Sequence, residues 1–254
     1  MPQIGLRPEL MLDQRRVDAR LGSDVPYAGA IETLGRKSLQ RDCQQPLGAR
    51  APPPPPRLSA PEIAAIYRDN AMLIRLGMIL GLAGIAGFIA LVCVITTQMR
   101  HMHTSSRLPA DLQLGAGAIG VLTLMFPNMV LAIAAFRPER DPALTQMLND
   151  IAWLFFIPAF PTFLAQFGAI AIGALTDKRP NPVFPRWAGY LNIWLALLLV
   201  RGAFAYIFRT GPFAWNGLLS FWITASAFFV WLIIMTPLTL SAINRTSQGD
   251  THHA

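Results

Sequence analysis

The sequence predicts an all-α transmembrane helical bundle of about five spans, preceded by a disordered N-terminal tail, and three observations carry that prediction. Only 14% of the 254 residues are charged while 53% are hydrophobic, against roughly 25% charged in a soluble domain. The apolar residues collect in five separated runs, each close to the ~20 helical residues that a hydrocarbon core demands. These runs are too long for strands, and a soluble core does not need five of them in succession.

Residues 1–57 are unlike the rest. They mix Arg15, Arg16, Arg20, Arg36, Lys37 and Arg41 with acids, Gly and Gln, and they close on the prolines Pro52 to Pro56. No apolar period is sustained, which predicts disorder, and the proline run favours an extended polyproline II spacer. The tail holds no apolar core of a signal peptide. Translation from a later start is an open alternative, since nothing beyond the prolines calls for the tail.

A five-span domain is expected over 58–245. Ser59 followed by Glu62 is the spacing of a capping box, and Ile63, Ile66 and Tyr67 share a face opposite Arg68 and Asp69. That pattern predicts a short interfacial helix feeding the first span. The spans are expected at 72–95, 114–136, 151–175, 188–208 and 213–240, with a short polar C-terminal tail at 246–254. Trp153, Trp187 and Trp215 fall near span ends, where indoles suit the headgroup zone. Pro127 in the second span and Pro158 with Pro161 in the third predict kinks. Gly77, Gly81, Gly84 and Gly87 give the first span a face of small residues, for packing inside the monomer or along a homo-oligomer seam.

The formal charge of +7 excludes little by itself. Its basic residues lie in the tail or between apolar runs, without the basic stripe and interleaved aromatics of a nucleic-acid binder. Membrane lipids, anionic headgroups among them, are the partners this placement predicts. Thirteen Lys and Arg on the N-terminal side face six on the other, which favours a cytoplasmic N-terminus. Counting only charges close to the spans makes the two sides nearly equal. Cys43 in the tail and Cys93 in an apolar run are not expected to pair.

Two groups of residues are candidates for a site. Arg201 stands well inside the fourth span, where a charge costs a few kcal/mol unless it snorkels or finds a partner. Antiparallel spans bring its end of the bundle to Asp150, so the geometry allows an Arg201–Asp150 pair, beside a snorkelling arginine or a ligand or lipid-headgroup site. With Arg137, Glu139, Arg140 and Asp141 of the second loop, these form a charged face for structural locking or for docking a partner or lipid. The second group is Asn128, Gln166 and Asn192, polar residues able to line a midplane cavity or to bond helix to helix. His101 and His103 in the first loop lack the further ligands of a metal site. The sequence therefore offers no metal centre, and no histidine within a span for a haem. Nucleotide-binding and hydrolase fingerprints are absent too, so neither a catalytic residue nor a cofactor is expected.

The segments Phe136-Arg137-Pro138-Glu139-Arg140, Leu148-Asn149-Asp150, Pro182-Val183-Phe184-Pro185-Arg186-Trp187 and Gly211-Pro212-Phe213-Ala214-Trp215-Asn216-Gly217 resemble a family of bacterial multi-pass membrane proteins with no assigned activity. The resemblance covers roughly residues 65–243. It implies a bacterial cytoplasmic-membrane protein and supports the topology, without naming a mechanism. Two function classes follow: a non-catalytic accessory, assembly or lipid-interacting component, with a membrane-protein partner or a second copy, or a small oligomeric transporter or channel.

Overall fold

The computed structural model describes residues 53–251, with side chains described through Arg245. The expectations for residues 1–52, Cys43 included, lie outside the described residues. Helix α1 (Ala60–Asp69) is followed by α2 (Ala71–Arg100), α3 (Leu108–Phe136), α4 (Pro142–Phe156), α5 (Phe160–Thr176), α6 (Arg186–Leu199) and α7 (Ile223–Thr251). A 3-10 helix (Val200–Tyr206) extends α6, and a π-helical turn (Leu218–Trp222) opens α7. Five stretches are long and apolar enough to cross a membrane: Ala71–Arg100, Leu108–Phe136, Pro142–Thr176, Arg186–Tyr206 and Leu218–Arg245. The chain is a multi-pass membrane protein of helical fold, as the composition predicts.

Helix α1 starts as its sequence dictates. The Glu62 carboxylate accepts hydrogen bonds from the backbone N–H (2.8 Å) and hydroxyl (2.7 Å) of Ser59, which together hold its pKa below the usual range. Ile63, Ala64 and Tyr67 are buried while Arg68 and Asp69 are exposed. The proline segment before it also docks: Trp215 Nε1 donates to the Pro54 carbonyl (2.8 Å) and Gln146 Nε2 to that of Leu58 (3.0 Å). The boundary expected at residue 57 falls inside this docked segment, and Trp215 is buried in a cluster with Ile157 and Ala205.

The spans pack sequentially, α2 on α3, α3 on α4 and α5, α5 on α6 and α6 on α7, and α7 returns to α2 to close the ring. Their shared core is aromatic. Trp231 stacks on Phe167 (4.8 Å between centroids, 12° between planes), with Phe88, Phe163 and Phe228 around them. Such pairs add about 1 kcal/mol each beyond burial. Outward-facing residues are equally apolar: Leu80 is 72% and Ile233 70% exposed. An apolar surface of this extent is stable against lipid and not against water.

The third span is broken where its prolines stand. Helix α4 ends at Phe156 and α5 begins at Phe160, since Pro158 and Pro161 cannot donate to the carbonyls of Leu154 and Ile157 four residues back. Gly202 of the fourth span packs its backbone directly against the freed Ile157 carbonyl, so closely that a Cβ there would overlap the oxygen. The fourth span tightens from α to 3-10 beside this contact. Pro127, in contrast, sits within a continuous α3.

The fifth span starts at Leu218 instead of Phe213, because residues 207–217 fold into a compact loop. Gly211 takes φ +78°, a conformation favoured by glycine, and Leu219 N–H bonds the Pro212 carbonyl (2.9 Å). Helix α7 then continues to Thr251, through most of the expected C-terminal tail. Of the α2 glycines, Gly81 packs against Asn128, whereas Gly77, Gly84 and Gly87 face open space. Cys93 is a free, exposed thiol.

Candidate functional site

The residues expected to form a charged face are used separately. Arg140 N–H bonds the Arg137 carbonyl (3.1 Å), closing a turn, and Arg140 Nη1 reaches the Ile133 carbonyl (3.4 Å). Asp141 caps α4 by accepting from Ala143 N–H (2.7 Å), with Pro142 in the first helical position where no donor is needed. Arg137 and Glu139 are exposed. These loop charges terminate one helix and start the next.

Asn149 and Tyr67 organise the packing of α1 on α4. The fully buried Asn149 accepts at Oδ1 from Tyr67 OH (3.1 Å) and Trp153 Nε1 (3.1 Å), and donates from Nδ2 to Asp150 Oδ1 (3.2 Å). Burial raises the pKa of the Tyr67 phenol, and the nearby Asp150 charge adds to the effect. Phenol, amide and carboxylate thus tie α1 to α4.

Asp150 is half-buried at the edge of an open groove of about 510 Å³. Asp150, Gln146 and the exposed Tyr206 form its polar part, and Met147, Ile151, Leu154 and Phe155 its apolar part. Arg209 is the arginine whose charge bears on Asp150. Among the described residues the ion pairs are Arg100–Asp111 (3.2 Å) and Arg179–Asp177 (3.4 Å); Arg201 and Asp150 do not make one. Arg201 lies half-buried in the 3-10 segment, its carbonyl accepting from Ser220 Oγ (3.4 Å). The arginine that bears on Asp150 is Arg209, in the loop beyond the fourth span, whereas Arg201 stays in the 3-10 segment beside Ser220.

The three midplane candidates separate. Asn192 donates to the Ala188 carbonyl (2.8 Å) and accepts from Trp231 Nε1 (2.9 Å), joining α6 to α7. Asn128 donates to the Leu124 carbonyl (2.9 Å) of its own helix while packing against Gly81. Gln166 is fully buried, with no hydrogen-bond partner for either side-chain atom.

At the far end of the third span stands a residue that the sequence reasoning missed. Asp177, its side chain fully buried, accepts backbone N–H bonds from Val183 (3.0 Å), His103 (3.1 Å) and Arg179 (3.3 Å). Lys178 N–H returns a bond to the His103 carbonyl (3.3 Å), and Arg245 Nη2 grips the Val183 carbonyl (2.9 Å). Burial pushes the Asp177 carboxyl upward, but the three N–H donors and Arg179 outweigh it and hold its pKa below the ordinary range. The available signal was an Asp at the end of an apolar run, followed by Lys-Arg-Pro, a turn-forming context. Compared with known protein-family models, curated proteins and solved structures, the chain matches none of them.

Proposed function

We propose that the protein is a non-catalytic, lipid-interacting component of the bacterial cytoplasmic membrane, its N-terminus cytoplasmic, and that the Asp150 groove holds the headgroup end of an amine-bearing phospholipid. The observation that carries this reading is the joining of one half-buried carboxylate to an apolar surface within a single groove. A primary ammonium supplies the N–H donors that a carboxylate at the membrane boundary needs, and charge-assisted bonds are the strong ones there. The adjoining phosphate has Arg209 as its counter-charge, and Ile151, Leu154 and Phe155 suit the first acyl carbons. An anionic headgroup without an amine would meet Asp150 with like charge. The bonds made by Asn128 and Asn192 support a non-transporting component, since both side chains are spent on helix packing.

Native mass spectrometry of the full chain released from mixed-lipid nanodiscs tests this. Phosphatidylethanolamine is expected to be retained over phosphatidylglycerol and phosphatidylcholine. Asp150→Asn should lower that retention about tenfold, the value of one charge-assisted hydrogen bond, whereas Glu139→Gln should leave it unchanged. Equal retention of the three headgroups by the wild type would overturn the proposal.

A further inference from the structure

Helices α2, α3 and α5 meet at two glutamines buried as deeply as any residue in the bundle. Gln166 has no partner for Nε2 or Oε1, and Gln113 has none for Nε2. Gln113 Oε1 accepts from Thr96 Oγ1, which is itself buried and also reaches the Val92 carbonyl (2.9 Å). An amide left without hydrogen bonds in apolar surroundings costs about 2–7 kcal/mol, more than a bundle of aliphatic and aromatic side chains can waste at two positions.

Helix α3 packs closely against these side chains through its glycines. A Cβ at Gly117 would stand 3.1 Å from Gln166 Nε2 and collide with Val92, and one at Gly120 would stand 3.8 Å from Gln166 Oε1. Gly117 lies one helical turn from Gln113, so the Gln166 amide of α5 lies against the same stretch of α3 that carries Gln113. No Asp, Glu, Lys or Arg occurs between Leu112 and Phe136 of α3 or between Ile151 and Thr176. The site is therefore neutral. Its unused groups are two N–H₂ donors and an acceptor oxygen, which suit neither a bare cation nor an anion.

A polar pocket stands at the loop end of the same three helices. Met99, Ala110 and Gly173 line a partly enclosed polar pocket of about 170 Å³ that also includes Arg100, Thr104, Ser106 and Arg107. Thr96 is one turn inward from Met99, and Gln113 one turn inward from Ala110. Gln166 lies ten residues, about 15 Å, from the end of α5 at Thr176. Polar groups thus step from the pocket toward the middle of the membrane, past the flexible thioethers of Met99 and Met102.

We propose that Thr96, Gln113 and Gln166 form an internal hydration site, occupied by water that enters through the Arg100–Arg107 pocket and bridges the two amides. Water offers both donor and acceptor, and makes two to four bonds in such sites.

Water-edited solid-state NMR on the full chain in lipid bilayers, labelled with 15N at Gln and Trp, tests the site. Gln166→Met identifies the Gln166 side-chain signal; contact with the Phe163 ring identifies it in the wild type should that variant not fold. Magnetisation from water should reach the Gln113 and Gln166 amides at least about threefold faster than the buried Trp231 indole, whose N–H is held by Asn192. Transfer as slow as that to Trp231, or a direct hydrogen bond between the Gln113 and Gln166 amides, would overturn the proposal.

Discussion

Gly202→Ala lowers stability by about 3 kcal/mol or more, the upper range for overpacking, and leaves a bundle that unfolds at lower temperature or fails to assemble. The cause begins in the third span. Pro161 has no N–H, so the Ile157 carbonyl lacks its helical partner, and the fourth span brings Gly202 against that oxygen with no space for a methyl group. The obstacle is backbone, on both sides of the contact. A rotamer change cannot relieve it, and separating the chains would open the small cluster of Ile157, Ala205 and Trp215. Gly84→Ala, at an α2 position with open space around it, provides the comparison and should be neutral or slightly stabilising through helix propensity. Thermal unfolding in mild detergent, followed by circular dichroism, measures both.

Asp177→Ala costs about 4 kcal/mol, because one substitution removes a buried carboxylate and strands its backbone donors from Val183, His103 and Arg179. Asp177→Asn costs about half as much, since the amide oxygen retains part of the acceptor role. The pH dependence has a definite sign. The folded pKa is below the unfolded one, so the contribution is fully present above the unfolded value of about 3.9 and is lost as pH falls through the folded value. Wild-type stability should decline below about pH 4, and Asp177→Asn should remove that part of the decline. Melting temperatures of the two proteins between pH 3 and pH 7 check this. Proteolysis of the first and third loops should rise in Asp177→Ala, since Asp177 connects His103 to the 177–185 segment.

What was legible in the sequence depended on local rules. The apolar runs, the Ser59–Glu62 start of α1 and the break at Pro158 and Pro161 each follow from a few neighbouring residues, and the structure has all three. Span limits were less legible. A lipid-facing helix remains apolar into its capping turns, so Phe213 reads as span although Gly211 and Gly217 fold it into a loop. The Arg201–Asp150 expectation used distance along antiparallel spans, which does not separate Arg201 from Arg209, the arginine whose charge bears on Asp150. Asn149 and Asp177 escaped notice because their partners are Tyr67, 82 residues away, and His103, 74 residues away. Nothing within a window of sequence marks such a partner. Asn128, Asn192 and Gln166 looked alike as intramembrane polar residues, and only the three-dimensional surroundings separate two satisfied amides from one without partners.

The groove at Asp150 carries the functional claim, and photo-cross-linking reads its occupant directly. Full-length protein in bilayers is illuminated with a phosphatidylethanolamine bearing a diazirine on its first acyl carbons, and the adducts are mapped by peptide mass spectrometry. Adducts concentrated at Met147 to Phe155 and at Tyr206, and depleted there in Asp150→Asn, are the predicted result. Adducts spread evenly over the lipid-facing sides of α2, α3 and α7, unchanged by Asp150→Asn, would contradict it.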